Sequence, residues 1–233
     1  MSEDLKNFLV SASRGGGRNF RSLGNCTTLE GRRVRAGRVF RSGHLGELAS
    51  ELRSEIDGLG LKTVITFQTR QEIDILGDPL PSLLPSILWE HIPIGDRWFE
   101  GGTSFPQDVV SQGEFYVKMV RDHDDLWARF FRVFTRTDRF SVLYHCTAGR
   151  DRTGVATVLL LESLRVPRPV IVEDYLLSNQ VFESNLQEAQ VLDPLFRMID
   201  AEGGIDSFLV RLGLTAAEVE AVRRNLLDRL DHD

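Results

Sequence analysis

Apolar residues form several short runs along the chain that are typical of β-strands. Residues 63–67 (TVITF) and 141–145 (SVLYH) are short and rich in β-branched or apolar side chains, which predicts two buried strands. Residues 88–94 (LWEHIPI) alternate loosely between apolar and polar positions and predict another strand. Residues 34–41 (VRAGRVFR) are expected to form a hairpin of two short strands around Gly37.

Other stretches place apolar residues three or four positions apart, which is the spacing of one helix face. This pattern predicts helices over residues 45–59, 114–134 and 155–164, and further helices to the end of the chain with breaks at glycines. Strands that alternate with helices, followed by a helical C-terminal part, predict the α/β class. We expect a central, mostly parallel sheet flanked by helices.

The chain has no internal repeat and no low-complexity linker, so we expect residues 1–233 to form a single domain. Residues 1–17 end in a run of glycines and are expected to be a flexible N-terminal segment. Residues 95–113 contain glycines and aromatic residues with little periodicity, which favours a long loop. Loops of that length are often functional, and this one is predicted to be a lid or a mobile segment.

Composition narrows the classes of function. The 233 residues are 42% hydrophobic and 27% charged with a net charge of −6, which is typical of a globular protein and argues against a nucleic-acid partner. No run approaches the roughly 18–20 apolar residues needed for a transmembrane segment, and no signal peptide is evident. Two cysteines cannot form a disulfide framework, so a reducing compartment is expected.

Candidate chemistry lies in residues 144–154 (YHCTAGRDRTG), between a predicted strand and a predicted helix. A loop at such a junction directs successive backbone N–H groups into one concavity. The helix dipole adds positive potential, so the loop can bind a phosphate without a metal. Cys146 and Arg152 are spaced to wrap residues 146–152, here named the cysteine loop, around one tetrahedral anion. The predicted phosphate-binding residues are Thr147, Ala148, Gly149, Arg150 and Arg152.

This arrangement is typical of nucleophilic catalysis. The Cys146 thiolate is predicted to attack phosphorus in line, and water then hydrolyses the phosphocysteine while the loop guanidinium and amides hold the oxygens. Thr153 is predicted to donate its hydroxyl to the departing thiolate, and His145 to bond the backbone near it. The leaving group needs a proton, for which Asp151 in the loop and Asp96 in the long loop are both candidates.

Residues 145–154 (HCTAGRDRTG) resemble the signature of protein tyrosine phosphatases, and more narrowly that of a bacterial PtpB-like group, HCxxGKDRTG. The resemblance extends to residues 18–24, 39–43, 63–72 and 174–179. It implies the cysteine-phosphatase fold. It also implies action on phosphotyrosine in proteins, sometimes on phosphoserine or phosphothreonine, and in some members on phosphoinositides.

The same resemblance favours Asp151 over Asp96 as the general acid. A bacterial cytoplasmic location is expected, although export without a cleavable signal peptide would leave the same sequence pattern. The chain also departs from the group. Arg150 stands where the group has lysine, and Thr66 and Gln68 replace the aspartate and arginine of its DLR motif. These changes put the substrate preference in doubt more than the chemistry.

Several alternatives stay open. Arg41 either helps to bind substrate or forms a surface ion pair. The histidines at positions 44, 91 and 123 lack the spacing of metal ligands, so no metal or cofactor is predicted. One alternative function is a catalytically silent phospho-ligand-binding module. Another is an arsenate-reducing or sulfur-transfer enzyme with Cys26 as its second thiol, although nothing in the spacing brings Cys26 close to Cys146.

Overall fold

The computed structural model of the protein describes residues 19–44, 46, 58–77, 86–95, 108–182 and 188–229. The predicted flexible segment 1–17, most of the predicted helix over 45–59, and Asp96 with the following residues to 107 lie outside this description. Within the described ranges, no helix has both the length and the apolar character required to cross a bilayer.

The described part of the chain contains one five-stranded sheet. Its strands are β1 (Arg21–Ser22), β2 (Val39–Ser42), β3 (Thr63–Thr66), β4 (Leu88–His91) and β5 (Val142–His145). They lie in the order β1-β2-β5-β3-β4, in which β1 is antiparallel to β2 and every other pair is parallel. The prediction of an α/β fold with a mostly parallel sheet is confirmed.

Helices account for most of the remaining described residues. They are α1 (Arg70–Leu76), α2 (Val109–Arg121), α3 (Asp124–Val133), α4 (Asp151–Ser163), α5 (Arg168–Phe182), α6 (Asp193–Ala201), α7 (Ile205–Arg211) and α8 (Ala216–Leu226). Short 3-10 helices cover Thr137–Arg139 and Ala189–Leu192. The last five α-helices follow β5 in the chain, so the prediction of a helical C-terminal part is also confirmed.

The central strand β5 is buried on both faces of the sheet. Its Val142 and Tyr144 belong to the main hydrophobic core, where the Phe130 ring of α3 lies 5.4 Å from the Tyr144 ring. Leu143 points to the other face and packs with Phe40, Leu61 and Val64. A strand covered on both sides needs apolar residues at successive positions, which explains the continuous apolar run in its sequence.

The predicted hairpin over residues 34–41 is wrong. Only residues 39–42 form a strand, and that strand lies between β1 and β5 rather than folding back on residues 34–36. Val34 instead forms an isolated bridge with Leu227, near the end of the described chain. All four residues of β2 are buried, which fits a strand inside the sheet with a neighbouring strand on each side.

The predicted boundaries of two helical regions also need correction. The apolar stripe over 114–134 covers two helices, α2 and α3, and α2 begins at Val109, so residues 109–113 of the predicted long loop are helical. The Asp108 side chain caps this helix by accepting from the Ser111 N–H at 2.9 Å. Gly113 obscured the helix in the sequence. Gly113 is buried, and a glycine is required at this position because a Cβ would lie 2.9 Å from the Val191 carbonyl oxygen.

Candidate active site

The carboxyl ends of three parallel strands lie level at one edge of the sheet. In the strand register, His145 at the end of β5 lies between Ser42 of β2 and Thr66 of β3. The segments after these strands contact one another, since the His44 N–H donates to the Thr147 carbonyl at 2.8 Å. Ligand sites of parallel sheets form at this edge, and the cysteine loop lies here between β5 and α4.

The sulfur of Cys146 accepts two hydrogen bonds. The Gly149 N–H lies 3.3 Å from it and the Thr153 hydroxyl 3.2 Å from it. Thr153 belongs to the first turn of the 13-residue helix α4, so the sulfur lies at the positive end of the helix dipole. Cys146 is 2% exposed. The two donors and the dipole all favour negative charge on the sulfur, which suits a thiolate nucleophile.

Gly149 allows the cysteine loop to cross the end of β2. Its φ of +70° lies in the left-handed region, which side chains rarely adopt. A Cβ at this position would lie 2.5 Å from the Gly43 nitrogen and 2.6 Å from the Ser42 carbonyl carbon. The backbone of the loop and the backbone of the strand end are therefore in direct contact, and no other residue type fits between them.

We expect Gly149→Ala to lower the free energy of unfolding by about 2–4 kcal/mol, from the strained φ together with the backbone clash. Urea denaturation measures this loss. Gly37→Ala is the matched control, because Gly37 has a φ of +71° with no neighbouring atom within 4 Å. It is expected to lose only about 1–2 kcal/mol, the cost of the backbone conformation. Equal losses in the two variants would contradict the argument from close contact.

Arg152 is fixed by a buried carboxylate. Its Nη1 and Nη2 donate to the two carboxylate oxygens of Glu72, each at 2.5 Å, and Nη1 also donates to the Phe67 carbonyl at 3.0 Å. Glu72 additionally accepts from the Thr147 hydroxyl at 2.5 Å and from the Thr69 N–H at 2.7 Å. A two-point pair of this kind sets the plane of the guanidinium, so Arg152 is oriented before any ligand arrives.

The same pair changes the acidity of Glu72. Burial raises the pKa of the Glu72 carboxyl. The charge and hydrogen bonds of Arg152 and the hydrogen bonds from Thr147 and Thr69 lower it by more than burial raises it, so the pKa lies below its usual range. For Arg152, burial lowers the pKa, but the charge and hydrogen bonds of Glu72 raise it above its usual value. Both groups therefore stay charged at neutral pH.

Arg41 lies beneath the cysteine loop and is completely buried. Its Nη1 donates to Asp174 at 2.6 Å and its Nη2 donates to the Gly149 carbonyl at 2.7 Å. Asn19 donates to the same carbonyl at 2.9 Å, and Arg21 donates to Asp174 at 2.7 Å. The ion pair expected at the surface is thus in the interior. These donors hold the Gly149 carbonyl turned away from the pocket while its N–H faces the sulfur of Cys146.

Asp151 is the first residue of α4 and is partly exposed. Its Oδ1 accepts from the Tyr116 hydroxyl at 2.6 Å and from the Gln112 amide at 3.0 Å, both on α2. Tyr116 is also bonded to the Tyr175 hydroxyl of α5 at 2.9 Å. The carboxyl group is therefore held by two side chains of α2, and α5 supports one of them through Tyr175.

The remaining predicted site residues lie in or beside the loop, except Asp96, which is outside the described residues. The His145 ring lies 3.2 Å from the Cys146 carbonyl oxygen. The Ala148 carbonyl accepts from Asn19 at 3.3 Å, and Arg150 directly precedes α4. Across the described ranges, no group of three or more histidine, cysteine or acidic residues could hold a metal ion.

Sequence reasoning missed several residues of this site. Glu72, Asn19, Arg21 and Asp174 all fall inside segments that carry the family resemblance, which marked those segments without indicating what each side chain contacts. Glu72 also has a local signal, because it follows Thr69 at the spacing of a capping box, which α1 uses. Tyr116 had no signal beyond its place on a helix, since its partner lies 35 residues away.

Relatives of known sequence carry phosphatase names. A protein of Cupriavidus necator named as a tyrosine-protein phosphatase is 31% identical over 171 residues, covering 70% of this chain and 60% of that protein. Triple specificity protein phosphatase PtpB of Mycobacterium tuberculosis is 28% identical over 190 residues, covering 69% of this chain and 66% of that protein. The chain thus matches less than two thirds of the length of each relative.

Solved structures that match the chain include P. aeruginosa TpbA, in a cysteine-to-serine variant in complex with pTyr. It has a TM-score of 0.34 and 14% identity, and the match covers 83% of this chain and 88% of that one. Kinase associated phosphatase (KAP) has a TM-score of 0.31 and 17% identity, covering 87% and 93%.

The model of the tyrosine phosphatase family matches residues 13–228, nearly the whole chain. This match includes the cysteine loop and the residues that support it, such as Asn19, Glu72 and Asp174. The resemblance inferred from the sequence is therefore confirmed, and the chain belongs to the tyrosine phosphatase family.

Proposed function

We propose that this protein hydrolyses phosphate monoesters through a phosphocysteine formed on Cys146. The observation that carries the proposal is the sulfur of Cys146, which accepts from Gly149 and Thr153 at the N-terminal end of α4. Donors of this kind stabilise a thiolate, and the same loop amides and guanidinium suit a phosphoryl group above it. Arg152, oriented by Glu72, completes the anion pocket.

The proposed reaction has two steps. In the first, the Cys146 sulfur attacks phosphorus, the bond to the ester oxygen breaks, and that oxygen takes a proton from Asp151. In the second, water attacks phosphorus, Asp151 takes back a proton from it, and sulfur leaves as the thiolate. Thr153 and the Gly149 N–H stabilise the sulfur as its charge returns, because both already donate to it.

The proposed substrates are phosphotyrosine-containing proteins, with phosphoserine, phosphothreonine and phosphoinositides as further candidates. The printed names of the relatives, which include tyrosine and triple specificity phosphatases, support this range. Arg150, where the PtpB-like group has lysine, keeps a positive charge in the loop. We also infer a reducing compartment such as the bacterial cytoplasm, since the nucleophilic thiol must stay free.

Sulfur transfer or arsenate reduction through a second cysteine is not supported. Leu23 pairs with Val39, the first residue of β2, so the segment that follows β1 lies at the amino end of that strand. Cys26 belongs to this segment, whereas Cys146 follows the carboxyl end of β5, which runs parallel to β2. The two thiols are therefore at opposite ends of the sheet.

The phosphocysteine can be detected directly. We expect acid quench of the protein during turnover of p-nitrophenyl phosphate to leave a phosphate group on the peptide that contains Cys146, seen by mass spectrometry. The peptide with Cys26 is the internal control and should stay unmodified. Phosphate release without any modified Cys146 peptide would contradict the mechanism. Saturable binding of a phosphopeptide without phosphate release would favour a silent binding module instead.

A further inference from the structure

A chain of hydrogen bonds leads from the interior to Asp151. Gln112 and Tyr116 lie four residues apart on α2, on the face that is turned toward α4. Tyr175 of α5 bonds to the Tyr116 hydroxyl, and its ring also lies against Gly154 of α4, at 3.2 Å from the position of a Cβ there. Tyr116 is 0% exposed and Tyr175 1% exposed. One buried hydroxyl group and one amide therefore bond to a single carboxyl oxygen at the rim of the pocket, and the second buried hydroxyl bonds to the first.

The direction of each hydrogen bond follows from the chemistry of the groups. The Gln112 side-chain nitrogen can only donate, and it lies 3.2 Å from the Tyr116 oxygen and 3.0 Å from Oδ1 of Asp151. A carboxylate can only accept, so the single Tyr116 proton points to Oδ1 at 2.6 Å. The Tyr175 hydroxyl then donates to the Tyr116 oxygen. Every proton in the network is directed toward Asp151.

Both tyrosines remain donors over the working pH range of an enzyme. Burial raises the pKa of Tyr116 well above its usual value, with the negative charge of Asp151 and the neighbouring Tyr175 as further causes. Burial likewise raises the pKa of Tyr175, which also feels the charges of Asp151 and, in the opposite sense, of Arg150. Neither hydroxyl ionises near neutral pH, so both tyrosines stay neutral donors while Asp151 gives up and takes back its proton.

We propose that Tyr116, supported by Gln112, is a positioning residue for the general acid: it fixes Oδ1 of Asp151 so that Oδ2 carries the transferred proton. This inference rests on the proposed function. Both described hydrogen bonds of the carboxyl group go to Oδ1, so the carboxyl plane is set from the interior. Rotation of Asp151 away from the leaving oxygen would break both bonds. A general acid held at a fixed distance and angle transfers its proton more effectively than a freely rotating one.

The test compares two esters that differ in their need for a proton. The leaving group of phenyl phosphate is the anion of a weakly acidic phenol, so its release depends on general acid catalysis. The leaving group of p-nitrophenyl phosphate is a much better stabilised anion and needs a proton far less. We expect Tyr116→Phe to lower kcat for phenyl phosphate about 10-fold and for p-nitrophenyl phosphate less than about 3-fold, with KM nearly unchanged. Asp151→Asn should show the same selectivity with a larger loss. When Tyr116→Phe is added to Asp151→Asn, the ratio of kcat for the two esters should not change any further.

Tyr144→Phe is the matched control. Tyr144 is also completely buried, and its hydroxyl bonds to Thr157 of the same helix α4 at 2.7 Å, away from Asp151. Tyr144→Phe should change kcat for both esters by the same factor. An equal loss for both esters in Tyr116→Phe, or a selective loss that persists in the Asp151→Asn background, would overturn the positioning role while leaving the phosphatase proposal intact. Absence of phosphate release by the unmodified protein would reject both.

Discussion

Cys146→Ser is expected to lower kcat for p-nitrophenyl phosphate by at least about 10⁴-fold, because removal of the nucleophile leaves only binding and electrostatic stabilisation. A serine hydroxyl is far harder to ionise than a thiol, and the two donors around the sulfur do not supply a base to deprotonate it. The side chains are nearly equal in size, so the pocket keeps its shape. Steady-state release of p-nitrophenol measures the effect.

Two further measurements make this result specific. Cys26→Ser should keep normal turnover, because Cys26 belongs to the segment at the other end of the sheet. Cys146→Ser should keep the urea midpoint of the unmodified protein and should still bind a phosphotyrosine peptide, since the loop amides and Arg152 are untouched. Turnover in Cys146→Ser within a factor of about 10 of normal would remove Cys146 from the mechanism.

Glu72→Ala is expected to lower the free energy of unfolding by about 3–5 kcal/mol, the cost of leaving a buried charge without its partner. Arg152 would lose its only described carboxylate partner while its side chain stays 5% exposed. The Thr69 N–H and the Thr147 hydroxyl would lose an acceptor as well. Urea denaturation measures the loss in stability. Catalysis should fall too, since the guanidinium plane is no longer fixed.

The chain provides a matched control at the surface. Glu218 of α8 also completes a capping box, with Thr215, and also binds an arginine, Arg132, at 2.9 Å. The Glu218 side chain is 28% exposed, whereas that of Glu72 is 2% exposed. Glu218→Ala should therefore cost only about 1 kcal/mol, because water can replace the lost contacts. Similar losses at the two positions would mean that burial does not set the strength of the Arg152 pair.

The same pair predicts how stability depends on pH. The pKa of Glu72 is lower in the folded protein than the ordinary value of about 4.3 that it regains on unfolding. Its contribution is therefore complete above that ordinary value and is lost as the pH falls through the lower, folded value. Asp174 adds to this trend, because burial raises its pKa but the charges of Arg41 and Arg21 bring it below the usual range.

The sequence was sufficient to predict the part of the fold in which the strand, the candidate site and the helix follow one another directly along the chain. The apolar run of β5, the cysteine loop and the start of a strongly apolar helix are contiguous, so strand, loop and helix could be predicted together. The parallel sheet followed from the alternation of strands and helices. The hairpin over residues 34–41 failed because the true partners of β2 are β1 and β5, and β5 lies about a hundred residues away.

The supporting contacts of the site could not be predicted for the same reason. Tyr116, Glu72 and Asp174 look like ordinary helix residues in the sequence, and their roles come from partners that only the folded chain brings near. Segments of family resemblance marked the positions of Glu72 and Asp174, but a motif does not say which oxygen faces which nitrogen. Tertiary geometry supplied that information.

The anchoring of the Gly149 carbonyl has a consequence for the timing of reactivity. Its two donors, Asn19 and Arg41, precede it by 130 and 108 residues, so the loop takes up its final shape only after distant parts of the chain have met. Contacts of such long range form late, because the entropy of closing a large loop has to be overcome first. We therefore expect the sulfur of Cys146, the proposed nucleophile, to gain its two hydrogen-bond donors only after these distant contacts have formed.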